Sequence, residues 1–187
     1  VSLLGTYPMV LAVHPSVPAK TVSELVEYAR SKPGHLSYGS AGNASTSHLA
    51  MELLRRQAGI EMTHIPYKGA APAMTDLISG RIQLVFDSVQ LVMPQHQSGK
   101  LRALAVSSRN RSTTVDLPGM EEAGLQNVDV SGWFGIFVPA GTPQPIVDRL
   151  SRELASIVRD PKIVKDLLGR GIAAVGSSPQ ELATRVK

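Results

Sequence analysis

The chain has 187 residues, of which 43% are hydrophobic and 18% are charged, which is typical of a folded protein with one domain or one domain and part of another. Its 19 basic and 15 acidic residues give a net charge of +4, and the basic residues are scattered, which argues against nucleic acid as a partner. The absence of cysteine excludes a disulfide framework, a thiolate metal site and a cysteine nucleophile.

Strand and helix patterns alternate through the first 110 residues. The apolar run MVLAV at 9–13 predicts a buried strand, and Thr21 with Glu24 predicts a capped helix that ends near Pro33. Strands are next predicted at 36–39, 61–66, 82–86 and 101–106, and helices at 47–57, 72–78 and 92–95. This order favours an α/β fold with a mixed, mainly parallel sheet flanked by helices.

The pattern changes after Val106. A polar loop covers 107–119, and residues 120–124 predict a short helix. A strand follows at 130–138, and a connector rich in proline leads to helices at 146–159, at 161–168 and from Ser178 onward. The last part of the chain is therefore mostly helical.

The segment LSYGSAGNASTSHL at 36–49 joins a predicted strand to a predicted helix. Free backbone N–H groups, hydroxyls and the positive end of a helix dipole meet there, an arrangement that suits an anion. A plain helix cap by Ser45, Thr46 or Ser47 explains the same residues without a ligand. Ala41 and Tyr38 stand where a dinucleotide fingerprint and a nucleophile elbow would need glycine.

Three junctions with suitable chemistry lie at the carboxyl ends of predicted strands, where open α/β sheets bind ligands. They are 40–46, 67–69 and the pair Asp87 and Ser88. Tyr67 is equally consistent with a half-buried ring, and Asp87 with a helix cap. The five histidines have no metal spacing, and His48 is placed to orient the loop through a backbone carbonyl.

Six stretches of the chain closely resemble, in the same order, the motifs of the Bug family, the extracytoplasmic solute-binding receptors of tripartite tricarboxylate transporters. They are HLSYGSAGNASTSHLAMELLRRQAG, THIPYKGAAPAMTDLISGRIQLVFDS, GKLRALAVSS, EEAGL, SGWFGIFVPAGTP and IVDRLSREL. The resemblance implies a periplasmic-binding-protein type II (Venus flytrap) fold, periplasmic localisation with the signal peptide outside this chain, and binding of a small carboxylate without catalysis. It also implies membrane transporter subunits as partners, no cofactor and no metal.

The resemblance further points to Gly42, Asn43, Ala44, Ser45 and Thr46 as ligand-binding residues, with Tyr67, Asp87 and Ser88 as neighbouring candidates. The strand-end junction adds Ser40 to this set. Residues 1–130 resemble the second lobe, and residues 131–187 resemble the hinge strand and C-terminal helices of a first lobe whose N-terminal half-domain is missing. We therefore expect an apolar face at Ile146, Leu150 and Leu154 to lack its cover, so that this segment self-associates or is less well ordered.

Two other functions remain open on the sequence. One is the effector domain of a transcription regulator, which would need a helix-turn-helix that the sequence lacks. The other is an acyl hydrolase that uses Ser40 or Ser45 with His48, which would need an orienting carboxylate and an oxyanion hole.

Overall fold

The computed structural model describes residues 1–186, which form seven strands and seven helices. In chain order they are β1 (Ser2–Val13), α1 (Val22–Ser31), β2 (Ser37–Ser40), α2 (Thr46–Ala58), β3 (Thr63–Pro66), α3 (Ala70–Ile78), β4 (Leu84–Ser88), α4 (Val89–Gln97), β5 (Arg102–Val106), β6 (Ser131–Ile136), α5 (Gln144–Val158), α6 (Pro161–Gly169), β7 (Ala173–Ala174) and α7 (Pro179–Val186). The chain divides into two compact units. One unit is Pro8–Ser131, and the other combines Val1–Tyr7 with the residues from Gly132 onward.

The larger unit contains a mixed sheet with the strand order β3-β2-β4-β1-β5. Strand β2 runs parallel to both β3 and β4, whereas β1 runs antiparallel to β4 and β5. The predicted mixed α/β sheet flanked by helices is therefore confirmed.

The two faces of this sheet are buried against different helices. Leu11, Tyr38 and Phe86 belong to a core that also contains the inner residues of α1 and α2. Val10 and Val85 point to the opposite face, where α3 and α4 cover a second core. Alternation along the strands thus assigns each residue near the sheet edge to one of the two helix layers.

Most predicted helix ends are confirmed, because local capping groups fix them. The Thr21 hydroxyl accepts a hydrogen bond from the Glu24 N–H at 3.2 Å, and the Glu24 carboxylate accepts one from the Lys20 N–H at 2.5 Å. Helix α2 ends at Gly59, whose φ of 60° is the left-handed conformation that glycine adopts at little cost.

Several predicted bounds differ from the structure by a few residues, and the largest differences are at 120–124 and at the start of β1. Residues 120–124 form turns rather than a helix, because the segment is short, lies between two glycines and closes at Gly124 with φ of 89°. Strand β1 begins at Ser2 rather than at Met9, because Gly5 and Thr6 pair with β7, which follows about 170 residues later.

In the smaller unit, the Tyr7 ring stacks on Phe134 with centroids 5.1 Å apart. A Cβ at Gly132 would lie 2.2 Å from the same ring, so glycine is required for this approach. Residues 1–7, which we had expected to belong with 8–130, group with this unit instead. Among residues 1–186, no helix combines the length and the apolar character needed to cross a membrane.

Gly39, one residue before the end of β2, offers a test of the packing beside the predicted site. A Cβ added there would lie 2.5 Å from Ile82 Cδ1 and 3.2 Å from the Tyr67 ring. We expect Gly39→Ala to lower the free energy of unfolding, measured in urea, by about 1–3 kcal/mol.

Ile82→Val removes the carbon nearest to that added Cβ, at a cost of about 0.5–1.5 kcal/mol when made alone. The double variant should therefore lose less unfolding free energy than the sum of the losses of the two single variants. Strict additivity in this double-mutant cycle would show that Gly39 and Ile82 are not in contact.

Candidate ligand-binding site

The three predicted junctions lie at one edge of the sheet. Ser40 pairs with Pro66 across β2 and β3, and Gly39 pairs with Val85 across β2 and β4. Because these three strands run in the same direction, the loop after Ser40, the segment from Tyr67 and the last two residues of β4, Asp87 and Ser88, all lie at their carboxyl ends. The structure thus brings together all the predicted site residues on the larger unit.

The loop between β2 and α2, residues 41–45, is held by short hydrogen bonds. The Ser40 hydroxyl accepts from the Gly42 N–H at 3.2 Å, and the Ser45 hydroxyl donates to the Gly42 carbonyl at 2.7 Å. The loop needs unusual backbone angles, with φ of 133° at Gly42 and 60° at Ala44. The left-handed conformation costs a residue with a side chain about 1–2 kcal/mol, so other contacts must hold Ala44 in place.

Several N–H groups at the start of α2 have no acceptor. Ser45 is the N-cap, and its hydroxyl accepts from the His48 N–H at 3.3 Å, which confirms that one of the three proposed residues caps this helix. Within residues 1–186, no protein group accepts a hydrogen bond from the backbone N–H groups of Asn43, Thr46 and Ser47. The first turn of α2 also contains no acidic residue. These donors and the helix dipole form a place for an anion.

His48 contacts the loop differently from our expectation. Its Nδ1 accepts a hydrogen bond from the Ala44 N–H at 3.0 Å, whereas we had expected contact with a backbone carbonyl. His64, which sequence reasoning missed, lies with Nε2 2.7 Å from the Ser40 hydroxyl, and its ring is parallel to that of His48 at a centroid distance of 4.0 Å. Only the pairing of β2 with β3 places His64 there, and no local motif indicated it.

Tyr67 uses its hydroxyl inside the protein. The hydroxyl donates to Asp76 at 2.8 Å, and Arg81 donates to the other oxygen of the same carboxylate at 2.9 Å. Burial, followed by the bond to Asp76, raises the pKa of Tyr67 to about 12. The Tyr67 N–H donates to the Ser40 carbonyl at 3.0 Å. Tyr67 therefore offers a ring and a fixed backbone at the sheet edge, with its hydroxyl already engaged.

Asp87 is a nearly buried carboxyl group beside the loop. Its side chain is 7% exposed, and one oxygen accepts the Ser88 N–H at 2.7 Å. No cation among residues 1–186 forms an ion pair with it. Burial, opposed by the bond from Ser88, raises the pKa of Asp87 above its ordinary value. Ser88 is the N-cap of α4, but its hydroxyl makes no capping hydrogen bond.

The arrangement does not support the serine hydrolase that the sequence left open. The imidazole beside Ser40 is that of His64 rather than His48, and Ser40 is only 1% exposed, so a substrate cannot reach its hydroxyl. Within the described residues, no carboxylate forms a hydrogen bond with His64. A nucleophile needs an accessible oxygen and an oriented base. The half-buried Ser45 hydroxyl bonds to the Gly42 carbonyl and the Ser47 hydroxyl rather than to an imidazole, so the described residues do not provide this pair for Ser45 either.

The described residues also contain no group of three or more histidine, aspartate or glutamate side chains that could hold a metal ion.

The buried carboxylate of Asp87 predicts a pH-dependent stability. Because its pKa is higher in the folded than in the unfolded state, the ionised group destabilises the fold at neutral pH. This penalty disappears as the pH falls through the folded-state pKa. We expect Asp87→Asn to raise the free energy of unfolding at pH 7, and the gain to shrink as the pH approaches 4.

Asp129→Asn, at an exposed position, is the matched control and should change stability little at either pH. A gain for Asp87→Asn that is equal at pH 7 and pH 4 would refute the electrostatic explanation.

Comparison with known proteins identifies the family. Residues 1–187 match the family described as tripartite tricarboxylate transporter family receptor. Protein BugT of Bordetella pertussis is 30% identical over 97% of this chain and 56% of its own length. The chain spans about half the length of the curated relatives that it matches.

Solved structures agree with this assignment. R. palustris Rpa4515 with adipate is 35% identical with a TM-score of 0.93, covering 100% of this chain and 62% of that one. MatC (Rpa3494) from Rhodopseudomonas palustris with bound malate is 30% identical with a TM-score of 0.85, covering 100% and 65%. The resemblance to the Bug receptors is confirmed, and the chain belongs to the tripartite tricarboxylate transporter receptor family.

Proposed function

We propose that this chain is part of an extracytoplasmic solute-binding receptor that captures a small carboxylate for a tripartite tricarboxylate-type transporter, without catalysis. The observation that carries the proposal is the set of unpaired N–H groups of Asn43, Thr46 and Ser47 at the start of α2. A carboxylate accepts several such bonds at once, and hydrogen bonds to a charged acceptor are about twice as strong as neutral ones. Adipate and malate, named with two related structures, are both dicarboxylates.

The proposed contacts follow from the placement of each residue. The loop and the first turn of α2 hold one carboxylate through the N–H groups of Asn43, Thr46 and Ser47 and the hydroxyl of Thr46, while the Ser45 hydroxyl, which donates to the Gly42 carbonyl, keeps the loop in shape. Ser40 stabilises the loop rather than touching the ligand, since its hydroxyl is hydrogen-bonded to Gly42 and lies 2.7 Å from Nε2 of His64. Tyr67, Asp87 and Ser88 line the neighbouring part of the sheet edge and contact the remainder of the ligand.

The two compact units support a division into lobes. We assign residues 8–131 to the second lobe of a Venus flytrap receptor, and residues 1–7 with those from Gly132 onward to the hinge strand and part of the first lobe. The receptor would act in the periplasm and deliver its ligand to membrane subunits of the transporter. A site on one lobe alone lacks the contacts of the other, so we expect weak binding by this chain.

A thermal-shift experiment tests ligand capture. Adipate, malate and the uncharged adipamide are added to the 187-residue chain and to a longer form, in which this chain is joined to the part of Rpa4515 that it does not cover. A ligand at 100 times its Kd adds about 2.7 kcal/mol to stability and so raises the Tm. We expect the acids to raise the Tm of the longer form, and adipamide to leave it unchanged. No response to either acid, or an equal response to adipamide, would overturn the carboxylate proposal.

Thr46→Pro tests the loop itself, because Thr46 is the first residue of α2, where proline fits a helix and removes only an N–H that is already unpaired. Ser45 has φ of −66° and ψ of 160°, the extended conformation that a residue before proline prefers. We expect Thr46→Pro to weaken binding of adipate or malate about tenfold, measured by calorimetry, without lowering the Tm of the free protein.

Thr46→Val keeps the N–H group and loses only the hydroxyl, so it should bind more tightly than Thr46→Pro. Equal binding by wild type and Thr46→Pro would remove this N–H group from the site.

Self-association is a separate proposal about the smaller unit. Ile146 and Ile157 on α5 are 50% and 54% exposed, and Leu150 on the same helix is also exposed. A row of large apolar side chains on one helix is typical of a surface that is covered in the functional state. We propose that a second copy of this chain covers it when the chain is studied alone.

Light scattering after size exclusion should then give a dimer or larger species for the wild type and a monomer for the double variant Ile146→Glu and Ile157→Glu. Leu49→Glu, at an equally exposed position on α2, is the control and should not change the mass. A wild type that is monomeric at high concentration would contradict self-association.

A further inference from the structure

Two histidines contact opposite ends of the ligand loop. At its start, Nε2 of His64 lies 2.7 Å from the hydroxyl of Ser40, which in turn accepts a hydrogen bond from the Gly42 N–H. At its end, Nδ1 of His48 accepts from the Ala44 N–H at 3.0 Å. The two rings are stacked, with centroids 4.0 Å apart and planes 10° from parallel. The pair therefore spans the loop as one rigid layer of rings.

A third ring, that of Tyr38, packs against the histidine pair and fixes the planes of its rings. The buried ring of Tyr38 stacks on His64 with centroids 4.9 Å apart, and its hydroxyl donates to Glu52. The Glu52 carboxylate is also paired with Arg55 at 2.7 Å. Strand β2 provides Tyr38, α2 provides Glu52 and Arg55, and β3 provides His64, so three elements support the pair.

The contact at Ala44 requires a particular protonation state. Because Nδ1 of His48 accepts a hydrogen bond, it carries no proton, and the neutral ring carries its proton on Nε2. A proton on Nδ1 would place two N–H groups against each other at Ala44. Ala44, which donates this bond, is also the residue of the loop with the left-handed φ of 60°. Protonation of His48 would thus release the end of the loop.

The charged groups around the pair limit how many protons it can hold. Glu52 favours a positive charge on either ring, but Arg55 already balances that carboxylate. Two imidazolium rings 4.0 Å apart repel each other. Burial first, and then the charge of His48, lower the pKa of His64, and Glu52 opposes both effects. Repulsion therefore disfavours a proton on both rings at once, and the bond from Ala44 requires an unprotonated Nδ1 on His48.

We propose that His48 is the positioning residue of the ligand loop, and that protonation of the stacked His48 and His64 pair weakens ligand binding as the pH falls. This inference rests on the proposed function, since it concerns the same loop. A purely electrostatic role predicts the opposite pH dependence, because an imidazolium that acted only through its charge would attract a carboxylate and strengthen binding at low pH.

Two substitutions distinguish the role of His48 as a hydrogen-bond acceptor from its role as a stacked ring. His48→Asn places an amide oxygen where Nδ1 lies, so it keeps an acceptor that cannot be protonated. His48→Phe keeps a flat ring for the stack but removes the acceptor. At pH 8 we expect His48→Asn to bind adipate or malate within about twofold of wild type, and His48→Phe to bind about fivefold more weakly, the effect of one neutral hydrogen bond.

The pH dependence of ligand affinity distinguishes this proposal from a purely structural role of His48, which would leave that dependence unchanged. Binding is measured by calorimetry from pH 8 to pH 5.5 on the longer form that carries the part of Rpa4515 not covered by this chain. The ratio of wild-type to His48→Asn affinity cancels any titration of the ligand itself. We expect this ratio to fall about fivefold toward the value for His48→Phe. A ratio that stays constant or rises would overturn the proposal.

A ligand-independent measurement separates this inference from the proposed function. The amide resonance of Ala44 should move with pH in the wild type and stay fixed in His48→Asn. If neither acid binds at pH 8, the proposed function fails while the Ala44 resonance still decides the role of His48. If the acids bind but this resonance is the same at all pH values in both proteins, the positioning role fails alone.

Discussion

The N–H groups at the start of helix α2 are the constraint on which this site depends. The first N–H groups of any helix have no partner within it, and they must find a side chain, water or a ligand. Here Ser45 accepts one of them and Ser47 accepts the Ala41 N–H just before the helix, while the N–H groups of Thr46 and Ser47 have no acceptor among residues 1–186. The surrounding loop is built to leave these donors in place rather than to cap them all.

The other residues at this end of the sheet are arranged around the N–H groups at the start of α2. Parallel pairing of β2 with β3 and β4 brings three loops together, and the hydroxyl of Tyr67 is turned away to Asp76. Within residues 1–186, no cation pairs with the buried Asp87, so its ionised form lowers the stability of the protein. Carboxyl groups with a shifted pKa cluster at functional sites, which agrees with the proposed place of Asp87 in the ligand site. Stability and recognition are therefore in opposition at this position.

The sequence was sufficient for those features that depend on neighbours along the chain. Apolar runs located the strands of the larger unit, and the Thr21 and Ser45 caps were recognisable from residue type and spacing. The sequence was insufficient where a feature depends on the pairing of strands that lie far apart in the chain. The contact between Ser40 and His64 needs the register of β2 with β3, and the first residues of β1 are a strand because of β7. The turn at 120–124 was mistaken for a helix because a short apolar pattern does not distinguish the two.

The central position of β1 has a consequence for biosynthesis. Its residues Val10 to Val13 pair with β4 and β5, yet Arg102, the partner of Val13 in β5, is made about ninety residues later. At a synthesis rate of about 5–20 residues per second, the run MVLAV waits roughly 5–20 seconds for its neighbours. During that time an apolar, uncharged strand has no partner in its own chain, which is the condition that favours aggregation. A holding chaperone that binds early in synthesis would find its most suitable segment there.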